Sequence, residues 1–178
     1  MKKIILISGK AEAGKTASAL YLKAALETRG QRVAIIPYGQ YVKDSAKMLF
    51  GWDGKKDENG RHLLQWWGTD VVRKEFPDFW VNTVVRLVGV AVDQLDYVLV
   101  DDCRFPNEAS CWDEYPHLTV RVERPGYENH LTYEQRLHPS ETAMDGFKFD
   151  VTVSATDLDS LEDGLFYDVL PRVLCRSW

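Results

Sequence analysis

Long hydrophobic runs are missing from this chain. No apolar stretch reaches the roughly 18 residues that a membrane-spanning helix needs. The opening run Ile4-Ile5-Leu6-Ile7 is too short for a secretory signal and has the length of a buried strand. Cysteine is scarce. Cys103, Cys111 and Cys175 form an odd, scattered set, which argues against a disulfide framework and a zinc site and points to a reducing compartment, the cytoplasm. An excess of positive charge is missing too. Lys plus Arg number 22 against 27 Asp plus Glu, a net charge of −5. That balance argues against a nucleic-acid polymer or an anionic membrane as partner. It leaves room for a local basic pocket around a small phosphorylated ligand. There is no internal repeat, low-complexity tract or heptad run, and no N-K-x-D tetrapeptide of the kind that reads guanine in a GTPase switch.

What the chain does have is alternation. Strand patterns fall at residues 2–8, 32–37, 96–101, 118–123 and 150–154. Helical patterns fall between them at 15–28, 40–50, 62–75, 80–95, 107–114 and 160–174. The first helix has an apolar face of Ala19, Leu20, Leu22 and Leu26 and stops near Gly30. The last has Asp159 or Ser160 as its cap. Two polar stretches interrupt the pattern. Residues 52–61 read as a mobile loop, and 124–140 as a flexible insert. Strands alternating with helices predict an α/β fold, a parallel sheet with helices on both faces. At 178 residues this is one domain, and both excursions are insertions within it.

The first strand runs into Gly9-Lys10-Ala11-Glu12-Ala13-Gly14-Lys15-Thr16, a match to G-x-x-x-x-G-K-[ST] followed directly by a helix. The spacing has a physical reason. Glycines at both ends let successive backbone N–H groups turn inward around a phosphate. The helix adds its positive N-terminus, Lys15 reaches the β- and γ-phosphates, and the Thr16 hydroxyl ligates Mg²⁺. Gly9, Ala11, Glu12, Ala13, Gly14, Lys15, Thr16 and Ala17 are therefore the expected ATP cradle. A second acidic element is expected at another strand end. Val98-Leu99-Val100-Asp101-Asp102 supplies it. Strand alternation would send Asp101 and Asp102 to opposite sides, so one of the pair would hold the metal.

Several segments resemble the phage-type deoxynucleoside monophosphate kinases. They are the phosphate loop; Arg61-His62-Leu63-Leu64-Gln65-Trp66-Trp67-Gly68-Thr69-Asp70; Val100-Asp101-Asp102-Cys103-Arg104-Phe105-Pro106-Asn107-Glu108; Val122-Glu123-Arg124-Pro125-Gly126; and His138-Pro139-Ser140-Glu141-Thr142-Ala143. They occur in consistent order over most of the chain. The resemblance implies a P-loop nucleoside-monophosphate-kinase-like three-layer sandwich with about five parallel strands. It implies ATP with Mg²⁺ as donor and a deoxynucleoside 5′-monophosphate as acceptor, bound by a region at about 38–95. It further implies a lid at about 125–139 and, for a phage-encoded chain, the host cytoplasm. Oligomeric state stays open, a homodimer included.

The residues carry a reading beside the name. A kinase joining two anions must neutralise both and exclude water. Lys43 follows the second strand, and Arg61 and Arg73 flank the tryptophan-rich stretch. Gln65, Thr69 and Arg73 recur at a spacing of four and would share a helix face, offering an amide, a hydroxyl and a guanidinium to an acceptor. Trp80 is the preferred aromatic for a base. Arg104 and Arg124 follow parallel strands, whose C-terminal ends face ligands. Arg136, within the insert, is the first candidate to stabilise the transferring phosphoryl group, with Arg104 and Arg124 next. Two alternatives stay open: a P-loop kinase of another phosphorylated acceptor, of the phosphomevalonate or dephospho-coenzyme A type, and a nucleotide-binding regulatory NTPase.

Overall fold

The computed structural model describes residues 3–91 and 93–175. Lys2, expected to open the first strand, and Val92, expected in a helix, lie outside the described residues. Five parallel strands form one sheet in the order β2-β3-β1-β4-β5. They are β1 (Lys3–Ser8), β2 (Val33–Ile35), β3 (Tyr97–Cys103), β4 (His117–Glu123) and β5 (Val151–Ser154). The helices are α1 (Lys15–Glu27), α2 (Gly39–Phe50), α3 (Glu58–Gln65), α4 (Phe79–Val90), α5 (Pro106–Ser110), α6 (Tyr133–Leu137), α7 (Pro139–Thr142), α8 (Leu158–Gly164) and α9 (Leu170–Leu174). The expected α/β three-layer architecture is present.

Side-chain alternation along the central strands builds two cores. Ile5 and Ile7 of β1 with Leu99, Val120 and Val122 bury one face, against Ala19, Leu22 and Leu26 of α1 and Leu161 of α8. Ile4 and Leu6 with Val98 and Val100 bury the other, against Val81, Val84 and Val88 of α4 and Trp112. Leu20, expected on the apolar face of α1, is instead 56% exposed. Its position falls outside the arc that Ala19, Leu22 and Leu26 turn to the sheet.

Four further expectations change. Residues 52–61 are not all loop, because Asp57 accepts a hydrogen bond from the Gly60 amide at 2.8 Å and starts α3 at Glu58. The next helix is not uniform either, since α3 continues into a π-helical stretch, Trp66–Arg73. The closing helix starts at Leu158, capped by Asp157 rather than by Asp159 or Ser160. Asp157 accepts from the Ser160 amide at 2.8 Å. The segment after β4 is partly built. Thr132 and Gln135 form a reciprocal capping box at the start of α6, and Leu131 is buried.

One irregularity matters for the site. Along β1 and β3 the register pairs Leu6 with Val100 but Ser8 with Cys103. β3 thus carries one extra residue across Asp101–Asp102. Such a bulge twists a strand locally, and it puts Cys103 in the same core as Val98 and Val100, where strict alternation would send it to the other face.

Candidate active site

β1 ends at Ser8, and the chain turns through Gly9 to Gly14 before α1 begins. Gly9 has φ +158°, and a Cβ there would meet the Val122 carbonyl oxygen at 2.5 Å, so no larger residue fits. Gly14 at φ +103° and Glu12 at φ +64° also take left-handed backbone. This is the kink-and-cradle geometry that the spacing predicts. Lys15 is buried and donates to the carbonyls of Gly9 at 2.9 Å and Lys10 at 2.7 Å. Burial pushes its ammonium down to about 7. Arg104 lowers it further, while Glu141, Asp102 and Asp101 oppose the shift.

Thr16 donates its hydroxyl to Asp101 Oδ2 at 2.8 Å. A hydroxyl beside a carboxylate is an oxygen donor set suited to Mg²⁺, which takes its remaining ligands from phosphates and water. Asp102 has another task. Its two oxygens accept the backbone N–H groups of Tyr38 at 2.9 Å and Gly39 at 2.8 Å, anchoring the start of α2. Burial raises the Asp102 carboxyl above its ordinary value, against those two hydrogen bonds. Both aspartates nevertheless line the same cavity. They do point to opposite sides of β3, Asp101 toward Thr16 of α1 and Asp102 toward the start of α2, and both reach the cavity because it lies at the strand ends. The two carboxylates are engaged differently: Asp101 accepts from Thr16, and Asp102 holds the start of α2.

The cavity encloses about 700 Å³ at the C-terminal ends of the strands. It brings together Ala11, Glu12, Gly14, Lys15, Thr16 and Ala17 with Lys43, Arg61, Gln65, Thr69, Arg73, Trp80 and Arg104. Gln65, Thr69 and Arg73 do share one face. The π-helical stretch supports this, since its wider i→i+5 turn keeps residues four apart in line. Their partners are mostly protein. The Gln65 amide donates to the Gln135 carbonyl at 3.3 Å, and Arg73 pairs with Glu108 and lies 4.0 Å over the Phe105 ring. Burial pushes the Glu108 carboxyl up to about 7, with Arg73 pulling it back. Trp80 is buried and donates its indole N–H to the Gly68 carbonyl at 2.9 Å, so it forms part of the wall.

Arg124 and Arg136 are not among the cavity-lining residues. Arg136 donates to the carbonyls of Leu131 at 3.0 Å and Asn129 at 3.0 Å, tying its own segment together. Arg124 stacks 3.9 Å over the Tyr127 ring. In this conformation neither guanidinium reaches the phosphate loop, because each is turned back onto its own insert.

Two residues that the sequence reading left out of the site belong to it. Lys56, from the Gly-rich loop, lines the cavity. Desolvation and the charges of Lys43, Arg61 and Arg104 hold its ammonium below the usual range. Neither Lys43 nor Lys56 has an ion-pair partner among the described residues. Glu141 also lines the cavity. It belongs to the His138–Ala143 motif, and folding brings its carboxylate to the Ala11 amide of the phosphate loop.

A Walker-type loop at the C-terminal end of the central strand of a five-stranded parallel sheet, with an acidic strand end beside its threonine, defines a P-loop kinase-like protein. No family model matches the chain. It is similar to the phosphomevalonate kinase of Drosophila melanogaster, 27% identical over 183 residues that cover 96% of this chain and 87% of that one. Among solved structures it is similar to an unliganded sugar kinase from Janibacter sp., with TM-score 0.50 and 14% identity over 97% of this chain and 98% of the other. The Mycobacterium tuberculosis APS kinase in complex with AMPPNP and APS matches with TM-score 0.46 and 12% identity over 93% and 95%.

Proposed function

We propose that the protein transfers the γ-phosphoryl group of Mg·ATP to the phosphate of a small phosphomonoester, a deoxynucleoside 5′-monophosphate first. The observation that carries this reading is the charge inside the cavity. Lys43, Lys56, Arg61, Arg73 and Arg104 line the same space as the Lys15–Thr16 cradle, in a chain whose net charge is −5. Arg61, Arg73 and Arg104 are paired with Glu12, Glu108 and Glu141. Lys43 and Lys56 have no ion-pair partner among the described residues, and two such cations beside the Lys15 cradle suit a second phosphorylated ligand.

The roles follow from the geometry. Lys15 meets the donor β- and γ-phosphates. Thr16 and Asp101 hold Mg²⁺, which when bound neutralises charge developing on the phosphates. Lys43, Lys56 and Arg61 take the acceptor phosphate, which is already ionised near neutral pH and needs no general base. Phe105, Trp80 and Val42 provide an apolar wall for a flat ring. The motif resemblance favours a nucleobase there.

The Drosophila relative favours a second acceptor, phosphomevalonate. A coupled ADP-release assay decides between them. Purified protein with Mg·ATP is offered each deoxynucleoside and ribonucleoside monophosphate, and phosphomevalonate, in turn. Turnover with one or more deoxynucleotides at least about tenfold above phosphomevalonate is the expected result. Turnover with phosphomevalonate alone replaces the nucleotide reading. ADP release that ignores every acceptor points to the regulatory NTPase.

A further inference from the structure

Arg104 is held by one end. Its Nη1 donates to the Ser140 carbonyl at 2.9 Å and forms an ion pair with Glu141 Oε1. Its backbone N–H donates to Glu108 Oε2 at 2.6 Å, which secures the main chain just beyond β3. Among the described residues, Nε and Nη2 have no hydrogen-bond partner, although Arg104 lines the cavity. A guanidinium fixed through one nitrogen, with its other donors unspent, is oriented rather than neutralised.

The group that fixes it is unusual in its second contact. Glu141 Oε2 accepts the backbone N–H of Ala11 in the phosphate loop at 2.9 Å. The same residue's carbonyl accepts from Lys10 Nζ at 2.6 Å. The Glu141 side chain is only 5% exposed. One buried carboxylate therefore joins three elements: α7, the donor-phosphate loop and the residue that follows the metal-side strand. Burying a charge in this way is costly unless each oxygen is satisfied, and here each is.

We propose that Glu141 is a positioning residue. It fixes the Arg104 guanidinium against the phosphates in the cavity and keeps it in register with the phosphate loop through Ala11. Arg104 then supplies the charge stabilisation that the insert residue Arg136, turned away from the cavity, does not supply in this conformation. The inference rests on the phosphotransfer reading of the site, though on neither particular acceptor.

A double-mutant cycle with an independent spectroscopic arm tests it. Glu141→Gln preserves shape and an oxygen for Ala11 but removes the charge facing Arg104. The expected result is a fall in kcat of at least about 30-fold, with the ATP KM within about threefold. Arg104→Ala should lose as much, and the double variant no more than Arg104→Ala alone, because both changes remove one interaction. The cycle is read on acceptor phosphorylation, or on acceptor-independent ATP hydrolysis if no acceptor responds, so failure of the acceptor reading leaves it intact. In the second arm, ¹⁵N spectra of the wild type should show Arg104 Nη protons resolved by slow rotation. Glu141→Gln should collapse them while the Ala11 amide signal stays in place. Multiplicative kinetic losses in the double variant, or unchanged Arg104 signals in Glu141→Gln, would overturn the proposal.

Discussion

At the scale of the residue, Lys15 is the most telling group. Its ammonium is buried, lies near Arg104 and is held down to about 7, from an ordinary value of 10.5. The sign of the consequence is fixed by linkage. The native state binds fewer protons than the unfolded chain between about pH 7 and 10.5, so this group makes the ligand-free protein gain stability as pH rises through that window. An anionic donor does the reverse to the lysine, since two phosphates beside it raise its pKa again. ATP binding should therefore take up protons near pH 8, and affinity should weaken from about pH 7 to about pH 9. Calorimetry in two buffers of different ionisation enthalpy measures that uptake. Lys15→Met should abolish both the uptake and the pH slope. The same variant should lose at least about 10²-fold in kcat, roughly 2.7 kcal/mol of barrier, with its thermal transition intact. Undiminished proton uptake in Lys15→Met would remove Lys15 from the phosphates.

At the scale of the element, the insert after β4 is more firmly held than its composition suggests. Its polar composition predicts mobility, yet it is tied down at several points. Leu131 is buried, Gln135 donates to the Glu58 carbonyl at 3.2 Å, and Arg136 secures the turn from within. Its main tie to the phosphate loop is Glu12. That carboxylate receives Arg61 on Oε1 at 3.1 Å, and Tyr127 at 3.1 Å and His130 Nδ1 at 2.9 Å on Oε2. The His130 and Tyr127 contacts, the His130 hydrogen bond foremost, hold the Glu12 carboxyl below its usual range. A carboxyl depressed in the folded state lends stability above its ordinary pKa and loses it as pH falls. Glu12→Gln should accordingly loosen the segment while leaving the sheet unchanged. Hydrogen exchange over residues 127–137 is the measure, with protection falling at least about fivefold. Equal protection in variant and wild type would show that the latch lies elsewhere. Composition misses this because the anchors are single side chains reaching to α3 and the phosphate loop. No local apolar pattern announces them.

At the scale of the whole molecule, the two cores hold the sheet between helical layers, and the site is a by-product of where the strands end. Trp112 is the largest fully buried side chain among the described residues. Its indole N–H donates to the Tyr38 hydroxyl at 3.0 Å and the Glu108 carbonyl at 3.1 Å, so it links the core to the segment that enters α2. Trp112→Ala should cost about 3–5 kcal/mol through lost transfer energy and a residual cavity. In a chain of this length that lowers the melting temperature by roughly 6–20 °C in a calorimetric scan. A drop below about 3 °C would mean that this core relaxes around the gap. What the sequence by itself determined is what is local along the chain. The phosphate loop needs only a strand, two glycines, Lys15, Thr16 and a helix in succession, and the strand–helix alternation settles the parallel sheet. Gln65, Thr69 and Arg73 were legible for the same reason, as neighbours on one helical face. Tertiary structure alone decided the rest. That Asp101 meets Thr16 while Asp102 ties down the start of α2 depends on which helices pack on each face of the sheet. Glu141 meets Ala11 across 130 residues of sequence. Arg136 turns back onto its own segment, where the carbonyls of Leu131 and Asn129 accept from its guanidinium. Burial, charge and hydrogen bonding act through space, and a chain order records them only where its elements are already adjacent.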